Sequence, residues 1–492
     1  MSLSRLRAEW CPSIPRELLA GAVATFALIP EVIAFSFVAG VDPSVGLFAS
    51  FVISIVIAFT GGRPAMVSAA AGSVALVAAP LVQSHGVPYL LAAGLLAGLV
   101  QIGFGLLRLG VLMRFVSSSV RTGFVNALAV LIFSAQLPHL QGANTATWAM
   151  LALGLALIYG LPRLPFKLFT ALPSPLICIL VLTGLSLTLG LPLATVADLG
   201  KLPDTLPIFG WPGVPITLET LRLIALPALA IAMVGLLESM MTASVVDEMT
   251  DTPSSKNREC SGLGMANIAA SLFGGIAGCG MIGQTVSNVK YGGRGRLSTL
   301  FAGLFLLVLM VLLKPWVAQV PVIALVAIMV MVSAATFDWG SLRQLVRHPR
   351  LSSAVMLATV AVTLATHNLA AGVAVGVVMS GVFFAFKVAH MLDVRFDDDA
   401  ATGLRRWTVT GQVFFASADA FVDAFDVLGA EGRAVCIDVT RAHFWDVTAV
   451  AALDKVVQRL RHHGCTVEVV GLNAASAVLI DRLAPQPPIT QG

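Results

Sequence analysis

Long apolar runs dominate the chain as far as about residue 389. Most of them extend over about 17–25 residues, the length that an α-helix needs to cross a bilayer. The pattern therefore predicts about fourteen membrane spans. They are Leu18–Phe37, Val45–Phe59, Ala65–Val82, Tyr89–Leu107, Gly123–Leu137, Trp148–Leu161, Ser174–Leu191, Leu221–Val246, Cys260–Ile276, Met281–Lys290, Leu297–Leu313, Pro321–Ala335, Ser352–Thr366 and Ala371–Ala389.

Two of these runs are interrupted by small residues at matching places in the two halves of the chain. They are Ala65–Ala79 (AMVSAAAGSVALVAA) and Gly274–Asn288 (GGIAGCGMIGQTVSN). Irregular backbone persists in a bilayer only where protein encloses it or where it lines a cavity. A pair of interrupted segments is the sequence pattern that best marks the binding site of a secondary transporter. The pairing and the even number of spans predict a seven-plus-seven internal repeat.

The broken segments favour an anion as the bound species. A helix that begins within the membrane presents N–H groups without intrahelical partners and the positive end of its dipole. Two such helix ends meeting at the midplane form an anion site without any basic side chain. The alternative is ordinary helix packing, in which small residues are also enriched. The predicted substrate-binding residues are Ala71, Gly72 and Ser73 in the first half and Gly283, Gln284 and Thr285 in the second.

Two glutamates lie inside predicted spans. Glu31 follows Pro30 in the first span, and Glu238 lies in the eighth span, four residues before Thr242. A carboxylate at the bilayer centre costs about 2.5–3.5 kcal/mol and usually faces a functional cavity. Glu238 and Thr242 share one helical face because they are four residues apart. We predict Glu31, Glu238 and Thr242 as ion-coupling residues; snorkelling of the carboxylates to water is the alternative.

Composition agrees with a membrane protein. Hydrophobic residues make up 57% of the 492 residues and charged residues 11%, against about 25% charged residues in soluble domains. Alternate predicted loops carry most of the lysines and arginines, which places both termini on the cytoplasmic side of a cell (inner) membrane. No nucleic-acid partner is expected. The six cysteines are scattered without metal-ligand spacing and are interpreted as inert small hydrophobes. No cofactor is expected beyond a coupling H⁺ or Na⁺.

The character of the chain changes after Asp393, where charges and alternating patterns return. We therefore predict a transmembrane domain over residues 1–392 and a cytoplasmic domain over residues 393–492. Three segments rich in β-branched residues predict strands, and three segments with helical apolar spacing predict helices. The strands are Arg405–Phe415, Ala434–Val439 and Thr466–Val470, and the helices are Ala418–Leu428, Val447–His462 and Ala475–Leu483.

Several of these segments resemble the SulP anion transporters, the sulfate permease family. Lys256–Asn267 (KNRECSGLGMAN) and Gly274–Ser298 resemble the second-repeat core of that family, and Ala27–Gly40 (ALIPEVIAFSFVAG) resembles its opening motif. The tail resembles its STAS domain, but Val447 stands where bacterial anti-sigma antagonists of that fold carry a phosphorylatable serine. The resemblance implies an inverted repeat with core and gate subdomains, an anion site between the third and tenth helices, elevator-like alternating access and a homodimer.

Three departures from the family pattern bear on coupling. Glu31 stands where many members carry glutamine, which resembles the proton-coupled members. Gln284 stands where many members carry arginine, so that no fixed cation supports the anion. Glu238 and Thr242 match in kind the sodium-holding acid and threonine of bicarbonate transporters, with glutamate in place of aspartate.

These observations predict a secondary active transporter of small anions. Proton-coupled symport of a carboxylate such as the dicarboxylate fumarate ranks first because of Glu31. Sodium-coupled transport of bicarbonate or sulfate is the alternative. An anion channel would need a continuous polar pore rather than one focused midplane site. An enzyme is not expected, because no catalytic constellation occurs near the spans.

Overall fold

The computed structural model describes residues 9–110, 116–163, 174–199, 207–347, 350–399 and 403–483. The chain forms two compact units, Met1–Val377 and Val378–Gly492. The division falls within the last long apolar helix, ahead of the predicted boundary between residues 392 and 393, which stays a prediction.

The first unit is helical. Among the described residues, seven helices are long and apolar enough to cross a membrane, and four shorter apolar helices accompany them. The predicted spans all overlap helices, while the number of membrane crossings and the inverted repeat stay predictions. The helices are α1 Ile14–Ala39, α2 Pro43–Thr60, α3 Gly72–His85, α4 Val87–Leu106, α5 Ser118–Ser134, α6 Thr145–Gly160, α7 Ser174–Leu189, α8 Val196–Leu199, α9 Leu218–Thr250, α10 Lys256–Leu272, α11 Ile282–Lys290, α12 Arg296–Ala318, α13 Val322–Thr336, α14 Trp339–Arg347, α15 Arg350–Thr366 and α16 Leu369–Ala389, which continues into the second unit.

These helices pack mainly as two groups. In one group α10 packs on α2 and α4, α9 on α4, and α12 on α1; in the other α5 packs on α13 and α15, and α6 on α7 and α13. Helices α4 and α10 cross closely at two glycines: a Cβ on Gly98 would lie 2.6 Å from the Gly264 carbonyl oxygen. Small residues permit this approach in membranes. The two groups are consistent with the core and gate subdomains that the resemblance implies.

Two buried glutamates hold the loops that flank the broken segments. Glu17, at the start of α1, accepts backbone N–H hydrogen bonds from Arg294 and Gly295 at 2.7 and 2.9 Å. Glu259 in α10 accepts them from Gly62 and Arg63 at 2.7 and 3.1 Å. Because a buried carboxylate needs such donors, these contacts fix where the chain enters β1 (Ser68–Ala70) and where it leaves α11.

The second unit contains a four-stranded mixed sheet flanked by helices. The sheet order is β3 (Asp393–Asp398), β4 (Arg405–Val413), β5 (Ala434–Phe444) and β6 (Thr466–Val470), with β3 antiparallel to β4 and the other neighbours parallel. Buried Trp407, Phe421 and Leu453 lie in its core. The three predicted strands and three predicted helices are present, Val447–His462 and Thr466–Val470 with the predicted bounds and the others with shifted ends, whereas β3 was not predicted. The elements are β3 Asp393–Asp398, β4 Arg405–Val413, α17 Ala418–Asp423, β5 Ala434–Phe444, α18 Val447–His462, β6 Thr466–Val470 and α19 Ala474–Leu483.

Candidate substrate and ion-coupling site

The two broken segments meet each other inside the first unit. Strand β1 pairs antiparallel with β2 (Gly278–Gly280), which places Ser68 opposite Gly280 and Ala70 opposite Gly278. A Cβ on Gly278 would lie 2.0 Å from the Ala69 carbonyl oxygen, so only glycine permits this pairing. Helices α3 and α11 begin two residues after β1 and β2 respectively. Two helix N-termini are therefore held by one short sheet.

Polar side chains from neighbouring helices stabilise the strand pair. Asn267 of α10 pairs with both backbone groups of Gly278, accepting from its N–H at 2.8 Å and donating to its carbonyl at 3.2 Å. It also donates to Gln101 of α4 at 2.9 Å. The Ser239 hydroxyl accepts from the Gly280 N–H at 2.9 Å. These side chains pair with backbone N–H and C=O groups of β2 that β1 does not reach. The sequence does not single out any of the three residues.

The three predicted residues of the first half lie at the start of α3. Ala71 and Ser73 are each 1% exposed, and Gly72 is buried between them. Gly72 lies against Phe35 of α1, because a Cβ at this position would lie 2.6 Å from the phenyl ring. The Ser73 hydroxyl donates a hydrogen bond to Oε2 of Glu238.

The three predicted residues of the second half lie in the first turn of α11 and have different surroundings. Gly283 is exposed, and a Cβ built on it would meet no atom within 4 Å. Gln284 is 1% exposed, and its Nε2 has no hydrogen-bond partner within 3.5 Å in the described part of the chain, although the Glu31 carboxylate lies beside it as an acceptor. Thr285 is buried and accepts from the Val67 N–H at 3.0 Å, which joins it to the chain just before β1.

The predicted coupling residues come from α1 and α9. Glu31 and Glu238 are both half-buried, with mostly buried neighbours along the chain. The Glu31 carboxylate is next to the Gln284 side chain and is electrostatically coupled to Glu238. The Thr242 hydroxyl contacts the carbonyl oxygens of Glu238 and Gly280 at 2.9 and 2.8 Å. The structure thus brings the coupling residues and both half-helices together.

Cys279, in the middle of β2, differs from the expectation of an inert cysteine. Its buried thiol donates to Glu238 Oε2 at 3.1 Å and lies 3.8 Å from the Ser73 hydroxyl oxygen. The sequence gives no sign of this contact, because β2 pairs with a strand about 210 residues earlier in the chain.

Cations are remote from the two carboxylates. Within the ranges that the structure describes, neither Glu31 nor Glu238 forms an ion pair with lysine, arginine or histidine. Nor do the described residues contain a group of three or more His, Cys, Asp or Glu side chains suited to a metal ion. A cavity of about 490 Å³ lies beside α9, where Leu237, Met240 and Met241 line it together with Arg121 and Lys256. Glu238 itself is not among the residues that line this cavity.

Sequence comparisons agree with this architecture. The sulfate permease family model matches residues 14–151 and 139–359, and the STAS domain model matches residues 401–486. YbaR of Bacillus subtilis (strain 168), whose name assigns it provisionally to sulfate transport, is 48% identical over 479 residues, or 97% of this chain and 99% of YbaR. The bicarbonate transporter BicA of Synechocystis sp. is 24% identical over 89% of this chain and 85% of its own.

Solved structures show the same fold. SLC26A9 matches with a TM-score of 0.81 at 18% identity, over 95% of this chain and 86% of that chain. The transmembrane domain of the cyanobacterial bicarbonate transporter BicA matches with a TM-score of 0.65 at 24% identity, over 73% of this chain and 97% of that domain. The family match, the helical membrane unit and the mixed α/β sheet agree, and the chain belongs to the sulfate permease (SulP) family of membrane anion transporters and carries a C-terminal STAS domain.

Proposed function

We propose that this anion transporter is a proton-coupled symporter of a small carboxylate, with a dicarboxylate such as fumarate as the first substrate to test. The observation that carries the proposal is the start of α11. Exposed Gly283 and the unpartnered Nε2 of buried Gln284 lie in its first turn, at the positive end of the helix dipole. A buried donor without a close partner is costly, and the acceptor beside it is the Glu31 carboxylate. A proton on Glu31 weakens that contact, and an anion bound here would then satisfy the donor.

The charges around this position account for the coupling. Glu31 and Glu238 would repel an anion bound beside them, because no described cation pairs with either. The two half-helices supply only about half a positive charge each. A proton on Glu31 removes one negative charge next to Gln284 and so favours the anion there. The loaded site then carries one negative charge fewer than it would with ionised Glu31, which lowers the cost of moving it through a low-dielectric region by an elevator-like step.

Sodium-coupled bicarbonate or sulfate transport is the second candidate. It is favoured by the oxygen atoms grouped around Thr242, namely its hydroxyl and the backbone carbonyls of Glu238 and Gly280, on the helix that also carries the Glu238 carboxylate. Small hard cations prefer oxygen ligands, so a site made of oxygen atoms alone can bind them. The names of BicA and YbaR are consistent with this candidate.

Uptake into liposomes separates the candidates. Purified protein is reconstituted, and labelled fumarate uptake is followed with an inward proton gradient or an inward sodium gradient imposed separately. Unlabelled sulfate and bicarbonate are the competitors. Saturable fumarate uptake driven by the proton gradient supports the proposal. Sodium-stimulated bicarbonate or sulfate uptake without fumarate uptake would replace it with the second candidate, and ohmic single-channel current would replace both with a channel.

We also propose that both termini and the STAS domain face the cytoplasm and that the protein is a homodimer. The orientation follows from the distribution of basic residues. The homodimer follows from the family resemblance. Impermeant thiol labelling of single cysteines introduced near each terminus tests the first, and the mass of the detergent-solubilised protein tests the second.

A further inference from the structure

Ser73 makes a contact that limits what else it can bind. It is the second residue of α3, and its hydroxyl donates to Oε2 of Glu238. A hydroxyl carries one hydrogen and can therefore donate to one acceptor at a time. While Ser73 donates to Glu238, an anion at the start of α3 meets only the lone pairs of its oxygen. The same residue cannot serve the ionised carboxylate and the anion together.

We infer that the Ser73 hydroxyl is a switch that donates either to Glu238 or to the transported anion, so that loading a cation on Glu238 prepares the anion site. This inference rests on the proposed function and specifies how cation and anion binding are linked. When Glu238 holds a proton, the carboxyl O–H donates to the Ser73 oxygen. The Ser73 hydrogen then turns toward the anion. No atom is exchanged other than the proton that Glu238 receives.

Cys279 keeps Glu238 in place for this exchange. Its thiol donates to the same Oε2 atom at 3.1 Å, and the strand that carries it is fixed by Asn267 and Ser239. The thiol lies 3.8 Å from the Ser73 oxygen, so the three groups form one cluster. Cys279 is therefore a positioning residue, because the carboxylate stays beside Ser73 even when their hydrogen bond reverses direction.

Among the residues that the structure describes, the other titratable group facing the cluster is Glu31. It lies on α1 and is coupled electrostatically to Glu238. A test of the switch must remove it, because protonation of Glu31 changes anion binding independently. In Glu31→Gln, Glu238 is the remaining carboxylate of the site. Any residual dependence of anion affinity on pH or sodium then reports on Glu238.

The experiment measures the affinity for labelled fumarate of Glu31→Gln protein in nanodiscs, with unlabelled sulfate as competitor. Affinities are compared at about pH 5.5 and pH 8, and at pH 8 with and without sodium. Coupling between two sites typically changes affinity about 5- to 150-fold. We expect fumarate affinity to rise at least about tenfold with one of the two cations. Adding Ser73→Ala should leave measurable binding whose dependence on that cation falls below about twofold.

Matched variants separate a switch from a structural effect. Ser73→Thr keeps the hydroxyl and should restore the cation dependence. Ser271→Ala is the control, because Ser271 is equally buried and its hydroxyl has no partner in the described part of the chain; it should leave the dependence unchanged. Glu238→Gln, made in the same background, removes the titrating carboxylate and should make fumarate affinity independent of pH and sodium.

Two results would overturn the inference in different ways. If Ser73→Ala protein binds fumarate with the full dependence on the cation, Ser73 is not the switch, and the proposed function still holds. Wild-type protein that binds neither fumarate nor sulfate at any pH or sodium concentration removes the proposed function, and the switch with it. If Ser73→Ala protein is unstable, binding by the Glu238→Gln protein that still depends on pH or sodium has the same force against the switch.

Discussion

Substituting Gly283 by leucine tests the assigned position of the anion. The described structure has no atom within 4 Å of a Cβ at this position. The new side chain therefore meets open space rather than packed protein, and overpacking does not apply. Replacing glycine in a helix by a residue with a side chain favours the helix by about 1 kcal/mol when the backbone is already helical. We expect Gly283→Leu to fold and to melt at or above the wild-type temperature.

Anion binding should nevertheless be lost in large part. The leucine side chain would fill the open space at the first turn of α11, where we place the anion. Hydrogen bonds to charged groups are worth about 1.5–3 kcal/mol each. Displacing the anion from a single donor therefore weakens binding about 10- to 150-fold, since 1.4 kcal/mol corresponds to a factor of ten. Gly283→Ala, with one methyl group, should give a smaller loss.

The assay is equilibrium binding of labelled fumarate to protein in nanodiscs, with thermal melting measured on the same samples. Gly184→Leu is the matched control, because Gly184 in α7 is also exposed with no atom near its Cβ position. It should bind like the wild type. Folded Gly283→Leu protein with wild-type affinity would refute the position of the site.

Two further substitutions test the strand pair and the STAS domain. Gly278→Ala places a Cβ 2.0 Å from the Ala69 carbonyl oxygen, so it should lower the free energy of unfolding by about 1–3 kcal/mol or more. Gly283→Ala is the control and should not lower it. Equal melting temperatures of the two variants would exclude the β1–β2 pairing. Arg405 donates two hydrogen bonds to Asp398, which lower the pKa of that carboxyl below its ordinary 3.8. A lowered folded-state pKa adds stability above the unfolded value and loses it as the pH falls. Asp398→Asn should therefore lower the STAS melting temperature at pH 7, with a difference that shrinks below pH 3.8; a pH-independent difference would contradict this.

The fold was largely predictable because membrane helices leave a strong local signal. Every predicted span overlaps a helix, and the interruptions at Ala65–Ala79 and Gly274–Asn288 coincide with the two short strands and half-helices. The STAS elements followed from periodicity, and Val447–His462 was predicted with its observed bounds. Strand β3 was missed because DVRFDD carries four charges in six residues and lies at an exposed edge of the sheet.

The candidate site was predictable only as a set of residues. Glu31, Glu238 and the half-helix starts stand out as charges or small residues in apolar runs. Their partners do not stand out, because the contacts join segments that are far apart in the chain. Cys279 contacts Glu238, and Asn267 contacts Gly278, because the pairing of β1 with β2 places Cys279 and Gly278 there. A pattern in a single sequence carries no information on that pairing. Likewise, nothing in the sequence distinguishes unpartnered Gln284 from bonded Thr285.

The central claim is that Glu31 carries a proton with each anion. It is tested most directly by the accumulation of labelled fumarate in liposomes with an inward gradient of one pH unit and the membrane potential held at zero. One pH unit is worth about 1.4 kcal/mol per coupled proton, or a factor of ten in accumulation. We expect Glu31→Gln to lower the maximal accumulation ratio about tenfold while fumarate–fumarate exchange continues. An unchanged accumulation ratio in Glu31→Gln protein would show that Glu31 does not carry the coupled proton.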